Sequence, residues 1–197
     1  MRMIRTPLAL VPYLLAAAMV AAGLLWHAGD FVSGVQTSGV AEIGGPFRLT
    51  DQNGQVRTDQ DFRGRFMLVY FGYTSCPDIC PTTLAVMADA LAKLHNGARV
   101  VPIFITVDPA RDTPAVLKAY LKAFGPAFVG LGGSKGSVAA AAKQYRVYYA
   151  RRPLQGGGYA IDHSNRIYLM GPDGKFVAVY DETLGPDGLA DALRKKT

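Results

Sequence analysis

The segment RFMLVYFGYTSCPDICPTTL, residues 65–84, joins a long apolar run to a pair of cysteines. Residues 65–73 are almost all apolar and include Val, Tyr and Phe, which predicts a strand buried on both faces of a sheet. Apolar residues then recur with helical spacing, at positions 84, 87, 88, 91 and 94, and predict a helix over residues 82–94. Cys76 and Cys80 therefore lie in a loop between a central strand and its helix.

Strand and helix patterns continue on both sides of this segment. Residues 47–58, FRLTDQNGQVRT, form two short alternating runs around Asn53-Gly54 and predict a hairpin. The remaining predictions, in chain order, are a strand over 99–108, a helix over 113–124 capped by Thr113, a helix over 137–147, a hairpin of 166–171 with 175–180, and a helix over 185–196. This order predicts an α/β fold with a mixed sheet flanked by helices. A cysteine pair between the first central strand and its helix makes the fold thioredoxin-like.

The first 45 residues predict a membrane anchor and a tether. Arg2 and Arg5 precede an uncharged stretch, residues 6–29, long enough to cross a hydrocarbon core of about 30 Å with the cations on the cytoplasmic side. A cleaved signal peptide is the alternative, because small residues in the stretch offer cleavage sites. We therefore expect an anchor over 1–29, a Gly- and Ser-rich flexible linker over 30–45 and a folded domain over 46–197. The expected location is a bacterial inner membrane, with the domain in the periplasm.

The net charge and the distribution of basic residues limit the kinds of molecule that the chain could bind. The net charge of +6 suits anionic lipid or acidic protein surfaces. The sequence has no arginine-rich helix and no platform of aromatic and basic residues of the kind that binds nucleic acid. We therefore exclude nucleic acid as a partner.

The cysteine loop allows more than one kind of chemistry. Cys80 stands directly before Pro81, which predicts that its sulfur lies at a helix N-terminus, where free amide hydrogens and the helix dipole favour the thiolate. A thiolate is both a nucleophile and a soft metal ligand. A purely structural disulfide is disfavoured, because closing so short a loop removes little entropy from the unfolded chain. The cysteines alone leave redox chemistry and metal binding open.

A third ligand would favour a metal, and the chain has three histidines. His27 ends the apolar N-terminal stretch, and His95 ends a predicted helix, where an imidazolium complements the dipole. His163 precedes a buried strand, and in a thioredoxin-like sheet the loop before that strand lies beside the cysteine loop. Two thiolates and an imidazole suit Cu(I), or Cu(II) with a weaker fourth ligand, whereas structural zinc normally takes four ligands. Asp78 or Asp162 could complete the set of ligands or orient His163.

A further acidic motif, VDPARDTP, covers residues 107–114. Asp108 ends a predicted strand on the side of the sheet that holds the cysteine loop. Arg111 and Asp112 are interpreted as residues at the start of the next helix, a structural role.

The segments FGYTSCPDICPTTL, FITVDPARDTP and DHSNRIYLMGPDGKF together resemble the Sco (SenC) family, copper chaperones for the assembly of cytochrome c oxidase. The resemblance covers nearly all of residues 45–195. It implies a thioredoxin-like domain in which Cys76, Cys80 and His163 bind one copper ion, Cu(I) or Cu(II). It also implies delivery of that ion to the dinuclear copper centre of an oxidase subunit. A periplasmic copper donor is a possible further partner, and the sequence does not identify it. Asp78 matches the family motif beside the ligands.

Members of this family are also discussed as thiol-disulfide reductases that keep the target subunit's cysteines reduced. In that rival interpretation Cys76 and Cys80 are catalytic: one attacks a partner disulfide and the other resolves the mixed disulfide. His163 is then dispensable or tunes a thiolate. A peroxidase of the peroxiredoxin type is a third, weaker alternative. Copper binding that is lost on replacing His163 separates the chaperone from the enzymes.

Overall fold

The computed structural model describes residues 43–94 and 99–197. The strands in these residues are β1 (Arg48–Asp51), β2 (Val56–Thr58), β3 (Phe66–Gly72), β4 (Val100–Thr106), β5 (Val129–Gly132), β6 (Tyr149–Pro153), β7 (Tyr159–His163), β8 (Ile167–Met170) and β9 (Phe176–Tyr180). The helices are α1 (Ile79–Ala92), α2 (Pro114–Leu121), α3 (Lys135–Gln144) and α4 (Gly185–Arg194). Short 3₁₀ turns cover Asp59–Phe62, Lys122–Phe124 and Glu182–Leu184.

Seven of these strands form one mixed sheet, in the order β2-β1-β5-β4-β3-β8-β9. The central strands β3, β4 and β5 are parallel, and the outer pairs are antiparallel. Strands β6 and β7 pair with each other as a separate ribbon. This architecture confirms the predicted α/β, thioredoxin-like class of fold.

The centre of the sheet is buried on both faces. Every residue of β3 and of β4 is buried, although successive side chains of a strand point to opposite faces. Each face must therefore be covered. Helix α1 packs against α4, α2 packs against β5, and α3 packs against β1. The unbroken apolar run of residues 65–73 is the sequence signature of this double burial.

Most predicted elements are present. The hairpin around Asn53-Gly54 forms between β1 and β2, and the second predicted hairpin forms between β8 and β9. Helix α2 begins as predicted, with Pro114 at its first position and the Thr113 side chain accepting a hydrogen bond from the Val116 N–H at 3.4 Å. Helix α1 begins at Ile79, three residues before the predicted start, so the second cysteine lies inside its first turn.

Two features of the fold, strand β5 and the pairing of β6 with β7 as a separate ribbon, had no sequence prediction. Strand β5 has the sequence VGLG, and its two glycines weaken any strand signal. The β6–β7 ribbon contains YARRP, a strand that is half-buried or exposed along its length and ends in Pro153. The structure shows that this ribbon carries His163.

The predicted location, a bacterial inner membrane crossed once by an N-terminal helix with the domain in the periplasm, is corrected. No helix in residues 43–94 and 99–197 is long and apolar enough to cross a membrane. The predicted anchor, residues 1–29, and most of the predicted linker lie outside the described residues. The single span therefore has no support in the structure, and the membrane location is withdrawn.

Candidate metal centre

The two cysteines lie where β3 ends and α1 begins. Cys76 is in the loop and is 9% exposed, whereas Cys80 is in the first turn of α1 and is fully buried. The Cys80 N–H points at the Cys76 sulfur at 3.4 Å. The sequence interpretation placed the sulfur of Cys80 at the helix N-terminus; in the structure it is the sulfur of Cys76 that accepts the free amide hydrogen there.

The environments of the two thiols push their pKa values in opposite directions. A hydrogen bond from the Cys80 side chain lowers the pKa of Cys76 to about 3, against the opposing effect of burial and with further hydrogen bonds from backbone N–H groups. The pKa of Cys80 is raised, because this side chain donates to Cys76 and is buried. Cys76 is therefore the anionic sulfur of the pair.

His163 is the last residue of β7 and faces the buried cysteine. Its Nε2 lies 3.3 Å from the Cys80 sulfur, across 83 residues of sequence. Its Nδ1 lies 3.1 Å from the Ser164 carbonyl oxygen. A carbonyl oxygen can only accept, so Nδ1 carries the proton and Nε2 keeps its lone pair free for a ligand. His27 and His95 lie outside the described residues.

The two aspartates considered for this site lie at its edge. Asp162 is exposed and pairs with Arg152 at 3.3 Å, because neighbouring strand residues face opposite sides of the ribbon. Asp78 is also exposed, at the N-cap position of α1, and its side chain forms no capping hydrogen bond. The partner of the His163 ring in the structure is a backbone carbonyl.

Aromatic residues surround the histidine and the buried cysteine. The rings of Tyr70 and Tyr73 lie edge-on to the His163 ring, with centroids 6.2 and 5.8 Å away. The Tyr70 hydroxyl donates to the Asn165 side chain at 3.0 Å and lies 3.7 Å from the Cys80 sulfur. Gly72 leaves room for that sulfur, because a Cβ at this position would lie only 2.8 Å from it. The packing thus fixes where the sulfur and the ring can be.

The site opens into a cleft of about 340 Å³. The cleft is lined by Tyr73, Cys76, Pro77, Asp78, Ile79, Ile161, Asp162 and His163. Cys80 does not line it and lies beneath. An incoming group therefore reaches Cys76 and His163 before it reaches Cys80.

The arrangement can hold a metal ion. The ligand atoms of Cys76, Cys80 and His163 all lie within 4.8 Å of one another. In the part of the chain that the structure describes, this is the one group of three or more His, Cys, Asp or Glu side chains with such spacing. Two sulfurs and one imidazole nitrogen form a soft donor set, which favours copper over the hard cations.

Sequence reasoning missed how the VDPARDTP motif contacts the site. Asp112 is 3% exposed and accepts hydrogen bonds from the Thr74 N–H at 3.0 Å and the Thr74 hydroxyl at 2.6 Å. Asp112 therefore contacts the cysteine loop, a role that goes beyond the start of a helix. An acid after a buried strand is the sequence signal that could have indicated this contact.

The fold and the site together define a class of protein, a thioredoxin-like α/β domain with two cysteines and one histidine that could hold a metal ion beside the end of its central strand. The SCO1/SenC family model matches residues 35–197. The mitochondrial SCO1 homolog 1 of Arabidopsis thaliana is 41% identical over 162 residues, which cover 81% of this chain and 48% of that protein. The chain thus spans about half the length of this curated relative.

Solved structures agree with that match. The structure of Bradyrhizobium japonicum ScoI with copper bound is 44% identical, with a TM-score of 0.73, and the match covers 79% of this chain and 99% of ScoI. BsSco, described as having a disulfide switch and as a member of the Sco family of cytochrome c oxidase assembly proteins, is 26% identical with a TM-score of 0.62, over 81% of this chain and 94% of its own. This chain belongs to the SCO1/SenC family.

Proposed function

We propose that this chain is a copper chaperone that binds one copper ion through Cys76, Cys80 and His163 and delivers it to the dinuclear copper centre of cytochrome c oxidase. The observation that carries the proposal is the convergence of three ligand atoms within 4.8 Å. Copper binding in ScoI and the oxidase-assembly role of the family of BsSco support the cargo and the recipient.

The donor set favours copper over zinc. Three strong ligands suit Cu(I), and a weaker fourth ligand would adapt the same set to Cu(II). Structural zinc sites are closed by four protein ligands, and the described residues bring only three to this place. Asp78 and Asp162 line the cleft, but neither carboxylate belongs to this group of ligand atoms, and Asp162 pairs with Arg152.

The depth of the ligands gives an order to copper transfer. Cys76 and His163 line the cleft, while Cys80 is fully buried. A sulfur of the recipient subunit approaching through the cleft would exchange with the accessible ligands first and with Cys80 last. Because each exchange keeps the ion coordinated, the ion passes between proteins without being released into water.

Copper titration of the reduced chain tests this proposal. We expect one tightly bound Cu(I) per chain in competition with a chromogenic Cu(I) chelator, and strongly weakened binding in Cys76→Ser, Cys80→Ser and His163→Ala. Mixing the Cu(I)-loaded chain with the copper-free oxidase subunit should then move copper to that subunit, measured as the copper content of each protein after the two are separated. Unchanged affinity in His163→Ala would contradict the assignment of the third ligand.

The second candidate is a thiol-disulfide reductase for the oxidase subunit's cysteines. The observation that favours it is the pairing of an accessible Cys76 with a buried Cys80 close beneath. The Cys76 thiolate would attack a target disulfide and release one target thiol. Cys80 would then attack the mixed disulfide, release the second thiol and leave a Cys76–Cys80 disulfide, so two electrons pass to the target. Fast reduction of a target disulfide by His163→Ala, together with no copper binding by the unmodified chain, would favour this function.

A further inference from the structure

The loop after β4 lies between the two halves of the metal centre. It contains Asp108 and Asp112, which are 0% and 3% exposed. The two carboxylates are joined through the loop itself, because the Asp112 N–H donates to the Asp108 carbonyl at 3.0 Å. We call residues 108–112 the bracket.

One end of the bracket binds the cysteine loop. The Asp112 carboxylate accepts from both the N–H and the hydroxyl of Thr74, two residues before Cys76. It also accepts from the Thr106 hydroxyl at 2.5 Å, at the end of β4. Asp112 therefore fixes the start of the cysteine loop relative to a central strand of the sheet.

The other end of the bracket binds the β6–β7 ribbon. The Asp108 carboxylate accepts from the Tyr159 hydroxyl at 2.8 Å and from Arg151 at 3.3 Å, one residue from each strand. Arg111 pairs with Asp108, stacks over the Tyr159 ring at 3.9 Å and donates to the Tyr159 carbonyl at 3.1 Å. Strand β7 is thus held at Tyr159, through both the side chain and the backbone carbonyl of that residue.

This attachment lies on the same strand face as the metal ligand. Side chains alternate along a strand, so Tyr159, Ile161 and His163 share one face of β7. Ile161, between the other two, is 4% exposed. The four-residue separation from Tyr159 to His163 corresponds to about 13 Å. In the described residues β6 and β7 pair only with each other, and a two-stranded ribbon needs outside contacts to hold its position.

We propose that the bracket positions the metal ligands: Asp112 sets the cysteine loop, and Asp108, with Arg111, sets the ribbon that carries His163. The two acids thereby fix the spacing between the sulfur pair and the imidazole. Neither acid touches the metal ion, and both act through the ligands. This inference rests on the proposed copper site and extends it to four buried or half-buried residues that lie outside it: Asp108, Arg111, Asp112 and Tyr159.

A control is needed because removing any buried carboxylate can destabilise the fold. Asp51 is a suitable match: it is 2% exposed, it pairs with Arg57 at 2.9 Å and it accepts two backbone hydrogen bonds. It lies in β1, which is separated from β3 by β5 and β4 in the sheet. Asp51→Asn should therefore lower the stability of the fold and leave the affinity for copper unchanged.

The test is a double-substitution cycle on the full reduced chain, with Cu(I) as the probe. We expect Asp108→Asn to weaken Cu(I) binding about tenfold or more, as is typical when a partner of a ligand is lost. In the His163→Ala background the same substitution should change the affinity less than about twofold, because the group it positions is absent. Asp112→Asn should still weaken binding in that background, because it acts through the cysteines.

A readout without metal separates failure of this inference from failure of the proposed function. In copper-free protein we expect the His163 ring resonances to shift or broaden in Asp108→Asn and to keep their positions in Asp51→Asn. If the unmodified chain binds no copper, the proposed function fails and this measurement still decides the positioning. Equal loss of Cu(I) affinity from Asp108→Asn with and without His163, or an equal loss in Asp51→Asn, would overturn the inference.

Discussion

Cys76 and Cys80 are four residues apart, but they differ in exposure, in hydrogen bonding and in the direction in which their pKa values are shifted. Cys76 lies at the cleft and accepts hydrogen bonds, while Cys80 lies under it and donates one. A helix N-terminus offers free N–H groups only to atoms placed just before its first turn. The position of Cys76 before the helix, and of Cys80 inside it, therefore assigns the two roles.

This difference predicts how Cys76 reacts as the pH changes. Its pKa is lowered from the ordinary value of 9.0 to about 3, so the thiolate persists as the pH falls, down to about that value. We expect the rate of alkylation of Cys76 by iodoacetamide to stay nearly constant from about pH 5 to about pH 8, because the reactive form is already fully populated. Mass spectrometry of the reduced, copper-free chain measures this rate.

The control for the alkylation prediction is Cys80→Ala. This change removes the side chain whose hydrogen bond contributes most to the low pKa of Cys76. The alkylation rate should then rise with pH in the range where it was constant. A rate that rises about tenfold per pH unit in the unmodified chain would show an ordinary thiol and contradict the assignment.

The second prediction concerns the close packing around Gly72. A Cβ at this position would lie 2.8 Å from the Cys80 sulfur and 2.9 Å from the Phe104 ring. Gly72→Ala should therefore lower the free energy of unfolding by about 1–3 kcal/mol, through overpacking, and weaken copper binding by displacing the sulfur. Urea unfolding and Cu(I) competition measure the two effects.

Gly136 provides the matched substitution. It lies within α3, and an added Cβ would have the Ser134 hydroxyl oxygen at 3.8 Å as its nearest neighbour. Gly136→Ala should be neutral or stabilising by up to about 1 kcal/mol, because alanine favours a helix, and copper binding should not change. If Gly72→Ala behaved in the same way, the close packing around Cys80 would be refuted.

The elements predicted best from sequence are those with a local signal, either an apolar pattern set by burial or a recognisable helix start. Strands β3 and β4 are apolar throughout because both faces are covered, and α2 begins at a cap and a proline that are visible in the sequence. Strand β5 and the β6–β7 ribbon lack such patterns. The ribbon is held by polar contacts to Asp108, which depend on residues 43 to 51 positions away in sequence.

For the candidate site too, sequence predicted some features and not others. The residue types and spacing indicated Cys76, Cys80 and His163, and the fold brings these three together. The sequence did not show that Asp162 would face away from its neighbour and pair with Arg152, because strand β7 had not been recognised. Which side chain faces the metal depends on the strand's alternation, and alternation can be used only once the strand is known.

The side chain of Asn165 forms hydrogen bonds to three different parts of the fold, and this predicts that its loss destabilises the packing between them. Its side-chain oxygen accepts from Tyr70 of β3 at 3.0 Å and from Thr83 of α1 at 3.3 Å, and its nitrogen donates to Glu182 before α4. Asn165→Ala should lower the free energy of unfolding by about 1–3 kcal/mol, because the fully buried Tyr70 hydroxyl loses its acceptor. Urea unfolding provides the measurement.

The companion substitution for Asn165 is Tyr70→Phe. Without the hydroxyl, residue 70 has no donor that Asn165→Ala could leave without an acceptor. Asn165→Ala should therefore lower the free energy of unfolding less in the Tyr70→Phe background than alone. Equal costs in the two backgrounds would mean that Tyr70 finds another partner and that Asn165 does not join the elements in this way.

At the scale of the whole molecule, the proposed metal centre connects parts of the chain that are 83 residues apart in sequence. Two of the proposed ligands, Cys76 and Cys80, follow β3 of the main sheet, and the third, His163, lies on a ribbon that pairs with the main sheet through no strand in the described residues. An ion bound to all three ligands adds a link between them. Copper should therefore stabilise the ribbon more than it stabilises the centre of the sheet.

Hydrogen exchange and thermal unfolding of the full reduced chain test this link. A ligand present at about 100 times its dissociation constant stabilises the folded state by about 2.7 kcal/mol, so Cu(I) should raise the Tm by several degrees. Amide protection should increase most in β6 and β7, whose local opening breaks the His163 bond. In His163→Ala, copper held by the two cysteines should leave exchange in the ribbon unchanged. Protection that increased equally in the ribbon of His163→Ala would show that copper does not bridge the two parts.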